Sequence, residues 1–240
     1  MTGRKAAPPS GVAEPLDAAT VVVVRPTEHG PAEVFMVRRS SKSRFMPGML
    51  VFPGGCVDPE DGPARSAEAF ERAARRECEE EAGIVLDHRD LVWFDTWITP
   101  SVDPHRYFTR FFLARLDLGG GQAARADGHE THDGRWATAA AHLETWERGE
   151  SDMPPPTLCT LLRLVSRSPD QIQNELQGLD PGQPIMPKKG RIEADQLVIA
   201  LPHDPRYATL PGLGVEAAER LCELPSLFRR TDNRWVPCHP

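Results

Sequence analysis

Residues 66 to 83 constrain this chain more than any other stretch. Phe70, Ala74, Cys78 and Ala82 recur every four residues, the period that lines one face of a helix. Ser66 can cap the start, and Glu68 falls in the first turn, where an acid suits the helix dipole. Gly83 follows the last apolar position, as a left-handed C-terminal residue would. On the same helix Glu77, Glu80 and Glu81 stand at i, i+3 and i+4 and share one narrow arc. Like charges so placed repel by roughly 0.2–0.5 kcal/mol per pair on an exposed helix. A hard divalent cation relieves that repulsion, and carboxylate oxygens are the donors Mg²⁺ prefers. Arg76, one residue earlier, can orient a carboxylate or hold the helix to a sheet. Taken alone, such a run is also the solvated face of an ordinary helix. The spacing of the residues around it decides between the two.

The rest of the chain supplies strands for that helix to cover. Ala19 to Arg25 is a β-branched run that reads as a buried strand, and Glu33 to Arg38 as a second. Met49 to Phe52 is a short strand that ends in Pro53-Gly54-Gly55, followed by a polar insertion. Leu91 to Thr99, Tyr107 to Leu116 and the short Arg135 to Ala137 are further strands. Helices are expected at Thr138 to Gly149, Pro154 to Arg167 and Asp170 to Leu179, then one strand and an irregular tail. This mixture predicts an α/β sandwich. Residues 1–16 read as a disordered leader, 17–150 as the main domain, and 151–240 as a C-terminal helical extension. Whether that extension packs on the domain or builds a homodimer stays open.

Composition removes several classes. With 240 residues the chain can bury a core without disulfides. A formal net charge of −7 argues against a nucleic-acid-coating protein. The five cysteines are odd in number and show no C-x-x-C spacing, which fits reduced thiols in a cytoplasm rather than a disulfide framework. The opening residues lack the apolar core of a signal peptide, and no apolar run is long enough to span a membrane.

Read together, the chain shows Gly62, five residues, Glu68, seven residues, Arg76-Glu77-Cys78, one residue, Glu80-Glu81, one residue, Gly83-Ile84. This resembles the Nudix box, G-x5-E-x7-R-E-U-x-E-E-x-G-U with U apolar, at every specified position. A chance match of its seven fixed letters is on the order of one in a million. The resemblance implies an α/β/α sandwich with a mixed sheet, and Mg²⁺- or Mn²⁺-dependent hydrolysis of a nucleoside diphosphate linked to another group. It implies that Glu77, Glu80 and Glu81 hold the metal, that Glu77 or Glu80 helps activate water, and that Arg76 orients them. In the family pattern the box glycine is the second of a Pro-Gly-Gly, here seven residues upstream of Gly62. The backbone of Gly54 or Gly55 is therefore expected at the metal, since glycine permits close approach, with Gly55 the candidate ligand. Glu130, or else Asp133, is placed where relatives carry a further catalytic acid. His129 and His132 beside it find no fourth ligand at zinc-like spacing.

Residues 39 to 55 carry the substrate clue. Arg39, Ser40, Arg44, Gly48 and Phe52 to Gly55 are similar to the coenzyme A diphosphatase signature R-[SA]-x3-R-x3-G-x3-F-P-G-G. Phe35-Met36-Val37 departs from the LLT that opens it. The implied reaction cuts coenzyme A, or an acyl ester of it, into 3′,5′-ADP and a 4′-phosphopantetheine product. Coenzyme A brings an extra phosphate, so Arg38, Arg39, Arg44, Arg106 and Arg110 are candidate substrate-binding residues, with Lys42 in the same loop. The layout, including Trp97 to Pro100, resembles the peroxisomal acyl-CoA subgroup, although the tail Cys238-His239-Pro240 is no peroxisomal address. Pro100, sixteen residues past Ile84, is shared with ADP-ribose pyrophosphatases of the family, which is the rival substrate. A non-catalytic nucleotide sensor is the third reading, and the intact glutamates argue against it. Trp93, Trp97 and Trp136 are expected in the core.

Overall fold

Four consecutive valines need a strand buried on both faces, and the first strand of the structure is that strand. The structure, a computed structural model, describes residues 11–42, 46–121, 124–126, 128, 131–221 and 223–238. Strand β1 (Leu16–Arg25) runs through the middle of a mixed sheet. It pairs antiparallel with β2 (Glu33–Arg39) at one end and with β4 (Gly54–Cys56) at the other. Along its other edge it runs parallel to β6 (Tyr107–Arg115), which pairs antiparallel with β5 (Leu91–Ile98). β2 also pairs with β3 (Leu50–Val51) and with β7 (Thr131–Thr138). The expected leader does not reach residue 16, because Leu16 already belongs to β1; residues 1–10 lie outside the described residues.

Helix α1 (Ala67–Ala82) covers one face of this sheet. Its stripe of Phe70, Ala73, Ala74 and Cys78 packs on Val21 and Val23 of β1 and on Phe35 and Val37 of β2. The capping forecast holds: Ser66 accepts from the Ala69 amide at 3.1 Å, and Gly83 takes φ 66° to close the helix end. Val22, Val24, Val34 and Met36 point to the opposite face. There they meet α2 (Ala139–Glu147), α3 (Pro155–Leu164) and α4 (Pro169–Gln177). The result is the α/β/α layering that the resemblance implies.

The C-terminal segment departs from the expected helical extension. After α3 and α4 it forms a second, four-stranded antiparallel sheet in the order β11-β10-β9-β8. Its strands are β8 (Lys188–Ile192), β9 (Gln196–Ala200), β10 (Leu227–Thr231) and β11 (Arg234–Cys238). Turn chemistry explains the difference. Asp232 and Asn233, between β10 and β11, both adopt positive φ, as do Ala194 and Asp195 between β8 and β9. Two adjacent residues at positive φ give the turn whose twist matches a hairpin. The Asp-Asn pair was the sequence signal for it.

This second sheet shares the core of the first. Phe228, Ile199 and Trp235 sit in one cluster with Val22, Met36 and Phe111. Trp146 Nε1 donates to the Trp235 carbonyl at 3.1 Å, and the Ile98 amide donates to the Ile185 carbonyl at 2.8 Å. Inside, Arg163 of α3 meets Asp95 of β5 at 3.1 Å, both almost fully buried. Among the described residues, no helix is long and apolar enough to cross a membrane.

His142 ties α2 to the sheet. Its Nε2–H donates to the Val34 carbonyl at 3.0 Å, and its Nδ1 is buried without a partner. Burial holds the imidazole down at about pKa 4, so the folded state favours the neutral ring. Its contribution to stability is complete above the free imidazole value of about 6.5 and is lost as pH falls toward 4. Between pH 7 and pH 4 the loss attributable to this ring is about 3 kcal/mol. Denaturant titrations of wild type and His142→Gln at both pH values check this; the variant should lose less stability on acidification than wild type does.

Candidate active site

The glutamates of α1 meet the backbone of β4. A side chain at Gly55 would run into the Glu77 carboxylate and push it away from β4. Gly54 adopts φ 157°, and a Cβ there would strike the Ala19 carbonyl and Thr20 of β1. The Gly54 amide donates to Glu81 Oε2 at 2.9 Å, and Glu81 is only 4 % exposed. Glu77 is largely buried and Glu80 largely open to solvent. Gly54 and Gly55, rather than Gly62, therefore lie against the glutamates. Gly62 packs near Ala69 at the start of α1, and Glu68 is exposed and faces Arg72.

Arg76 is the hub of this arrangement. Its Nη1 donates to Glu77 Oε1 at 2.7 Å and to Glu80 Oε2 at 3.1 Å. Its Nη2 donates to the Cys56 carbonyl at 2.9 Å. A fork of Nε and Nη2 grips both oxygens of Asp61, at 3.2 and 2.9 Å. Asp61 sits in a short 3₁₀ turn (Pro59–Asp61), is 5 % exposed, and also accepts from the Asp58 amide at 2.8 Å. Burial alone would raise the Asp61 carboxyl, but the Arg76 fork and the Asp58 amide outweigh it and hold the pKa below its usual value. The hydrogen bond to Asp61 is the largest cause that raises the Arg76 guanidinium above its usual value. Sequence reasoning missed Asp61, because the literal box spacing points to Glu68 as the acid before Arg76. The signal was the short turn Asp58-Pro59-Glu60-Asp61, separated from the glycines by two residues.

The remaining expected residues divide. Arg38 Nη1 donates to the Gly48 carbonyl at 3.1 Å, and Arg38 Nε lies 3.6 Å from Asp133. Arg39 lines the cavity described below. Arg44 and Glu130 lie outside the described residues. Asp133, the alternative to Glu130, is an exposed β7 residue with φ 51° that meets Arg38. Arg106 is not a cavity residue: it is buried, and its guanidinium donates to the carbonyls of Thr99 and Ala13, bracing the chain ahead of β1. Arg110 is on the α1 face of the sheet, stacked 4.3 Å from Phe70 and 4.2 Å from Trp93. Burial lowers the pKa of both groups. Cys78 is fully buried, and burial pushes its thiol up to about 12, as its apolar position in the helix stripe predicts. Trp97 is buried, whereas Trp93 and Trp136 are partly buried against the α1-side core.

On the face of the first sheet opposite α1 lies a cavity of about 540 Å³. Gly54, Gly55 and Cys56 form part of its wall, so it adjoins the strand that touches the glutamates. The second sheet forms the other side, with Lys189, Leu197, Ile199, Arg230 and Trp235. Oxygen donors on one helical arc, beside a glycine that leaves room, suit a hard divalent cation by chemistry. Among the described residues the side chains do not converge as a three-residue metal cluster. Glu77 and Glu80 are engaged by Arg76, and Glu81 by Gly54.

Comparison with known proteins agrees with this geometry. The NUDIX domain profile matches residues 15–154. A Caenorhabditis elegans protein named as a nudix hydrolase is 27 % identical over 166 residues, 55 % of this chain and 55 % of that protein. The human NAD-capped RNA hydrolase NUDT12 is 29 % identical over 126 residues, 52 % of this chain and 24 % of that protein. The chain thus spans about half, or less, of the curated relatives it matches. A crystal structure of a NUDIX hydrolase from Alicyclobacillus acidocaldarius superposes with a TM-score of 0.59 at 26 % identity, covering 70 % of this chain and 98 % of that one.

Asp61→Asn keeps the shape of the buried pair but removes its negative charge. Unfolding stability should drop by about 2 kcal/mol, as for a lost charge-assisted hydrogen bond. A denaturant titration checks this; an unchanged midpoint would mean that Arg76 is held as firmly by its other partners.

Proposed function

Because the chain belongs to the Nudix family, we propose that it is a divalent-cation-dependent hydrolase that cuts the diphosphate of a nucleoside diphosphate linked to another group, with coenzyme A or an acyl-CoA as substrate. The observation that carries the hydrolase reading is the contact between Glu77 and Glu81 of α1 and Gly55 and Gly54 of β4. Support for the substrate comes from Arg39, Ser40, Gly48 and Phe52 to Gly55, which match the coenzyme A signature, and from Arg39 at the cavity wall.

Glu77, Glu80 and Glu81, with the Gly55 carbonyl, would hold Mg²⁺ or Mn²⁺. Bound there, the cation neutralises diphosphate oxygens and lowers the pKa of a water. The protein's own part is positioning and proton transfer. Arg76, locked by Asp61, offsets the repulsion between Glu77 and Glu80 and keeps Glu77 turned toward β4. A helix carboxylate takes the proton of the attacking water. The water oxygen bonds to phosphorus as the bridging P–O bond breaks, giving 3′,5′-ADP and 4′-phosphopantetheine or its acyl form. The human relative is named for NAD-capped RNA, which makes NAD-type dinucleotides the rival substrates.

Purified protein incubated with coenzyme A, octanoyl-CoA, NADH, ADP-ribose and nucleoside triphosphates under Mg²⁺ or Mn²⁺ tests this. The expected product is 3′,5′-ADP from the coenzyme A substrates; preference for NADH or ADP-ribose, with no 3′,5′-ADP formed, overturns the substrate. Glu80 is exposed on the helix, so Glu80→Gln should fold normally. It should lower kcat/KM on the order of 100-fold. Unchanged turnover would remove the glutamate helix from the chemistry.

A further inference from the structure

The cavity between the two sheets has, on its second-sheet side, features that a phosphate site would not have. Its walls are largely apolar: Trp97 and Phe111 face it from the first sheet, Leu197, Ile199 and Trp235 from the second. The two cations that the second sheet contributes to the wall are already neutralised, whereas Arg39, from β2, lines the first-sheet side. Lys189 Nζ pairs with Asp103 at 2.7 Å, and Arg230 Nη1 pairs with Asp152 at 2.6 Å while its guanidinium stacks over Trp235. An anion on the second-sheet side would have to compete with Asp103 and Asp152 for Lys189 and Arg230, and it would lose its hydration against apolar walls. An uncharged, flexible, partly apolar group meets neither cost. The volume of about 540 Å³ is that of a site for a small organic ligand. Its position is as informative as its lining. Gly54, Gly55 and Cys56 border it, and the same strand touches Glu77 and Glu81. A group in the cavity can therefore be joined to a diphosphate held at the glutamates.

We propose that this cavity binds the uncharged arm attached to the non-nucleotide phosphate of the substrate, and that Leu197, Ile199 and Trp235 of the second sheet select that arm. For a coenzyme A substrate the arm is the pantetheine chain with its acyl group. The inference rests on the diphosphatase reading for its placement, but it can be tested without catalysis. Its consequence is a division of labour. The first sheet and α1 carry the bond cleavage, and the C-terminal sheet, absent from the matched domain at residues 15–154, carries the choice of substrate arm.

The test is calorimetric binding of octanoyl-pantetheine, which has the arm and no phosphate, to the full chain and to two variants. Leu197→Glu places a charge on the apolar wall, and Leu197→Ala, milder and better tolerated in folding, removes part of that wall. Circular dichroism confirms that each variant is folded. Wild type should bind the probe, and Leu197→Ala should weaken binding roughly tenfold, the loss expected for a few buried methylenes. Leu197→Glu should weaken it further. In parallel, 3′,5′-ADP binding should change far less in both variants than binding of the probe. Absence of octanoyl-pantetheine binding at millimolar concentration overturns the inference, as does binding unaffected by both variants. If 3′,5′-ADP binding falls while the probe is indifferent, the cavity holds the nucleotide instead. Should the probe bind as expected while the substrate panel shows no diphosphate cleavage, the hydrolase reading fails and the arm site stands.

Discussion

Three carboxylates on one arc of a helix need compensation: Arg76 supplies it to Glu77 and Glu80, and the Gly54 amide to Glu81. The same guanidinium that reaches Glu77 and Glu80 also grips Asp61 with two nitrogens and holds the Cys56 carbonyl. One side chain thus joins three pieces of chain: α1, the 3₁₀ turn and β4. Removing either charge of a buried pair leaves the other without compensation, which costs far more than the pair contributes. The geometry of the site follows from that clamp. With β4 drawn against the helix, Gly55 leaves room for the Glu77 carboxylate, and the Gly54 amide pairs with the buried Glu81.

The opposite face of the sheet is organised by a different contact. Buried Asp95 on β5 takes Arg163 from α3 and Trp97 Nε1 from its own strand. This fixes α3 beside the sheet and lets the chain continue into the second sheet, whose Phe228 and Trp235 complete the core begun by Val22 and Met36. The C-terminal segment is therefore no appendage. It finishes the core, and where its side chains stop short of the first sheet they leave the cavity that adjoins Gly54–Cys56. The reading of that cavity as a site for a substrate arm depends on this continuity between catalytic strand and apolar wall.

Much of this was legible because it is local. A four-residue apolar period, a serine cap and a terminal glycine specify α1 without reference to anything distant, and both caps are present in the structure. The valine run specifies a doubly buried strand for the same reason. Strands at the C-terminus were harder to read. Their alternation is broken by Lys188-Lys189, Arg229-Arg230 and Pro237, and the hairpins rest on Ala194-Asp195 and Asp232-Asn233 at positive φ. The former pair carries no strong turn preference.

The sequence by itself determined the helix, its row of glutamates, the arginine among them and the strands it covers, since spacing alone puts these residues on one face. Only the tertiary structure decided which acid holds Arg76. Asp61 and Glu68 are both in the chain before it, but the turn buries Asp61 and leaves Glu68 in water. The fold likewise turned Arg106 and Arg110 away from the cavity, one into main-chain carbonyls and one between aromatic rings. A charge in a sequence announces that it needs a partner. Which partner it finds depends on the face and the depth at which the fold places it, and no local pattern records either.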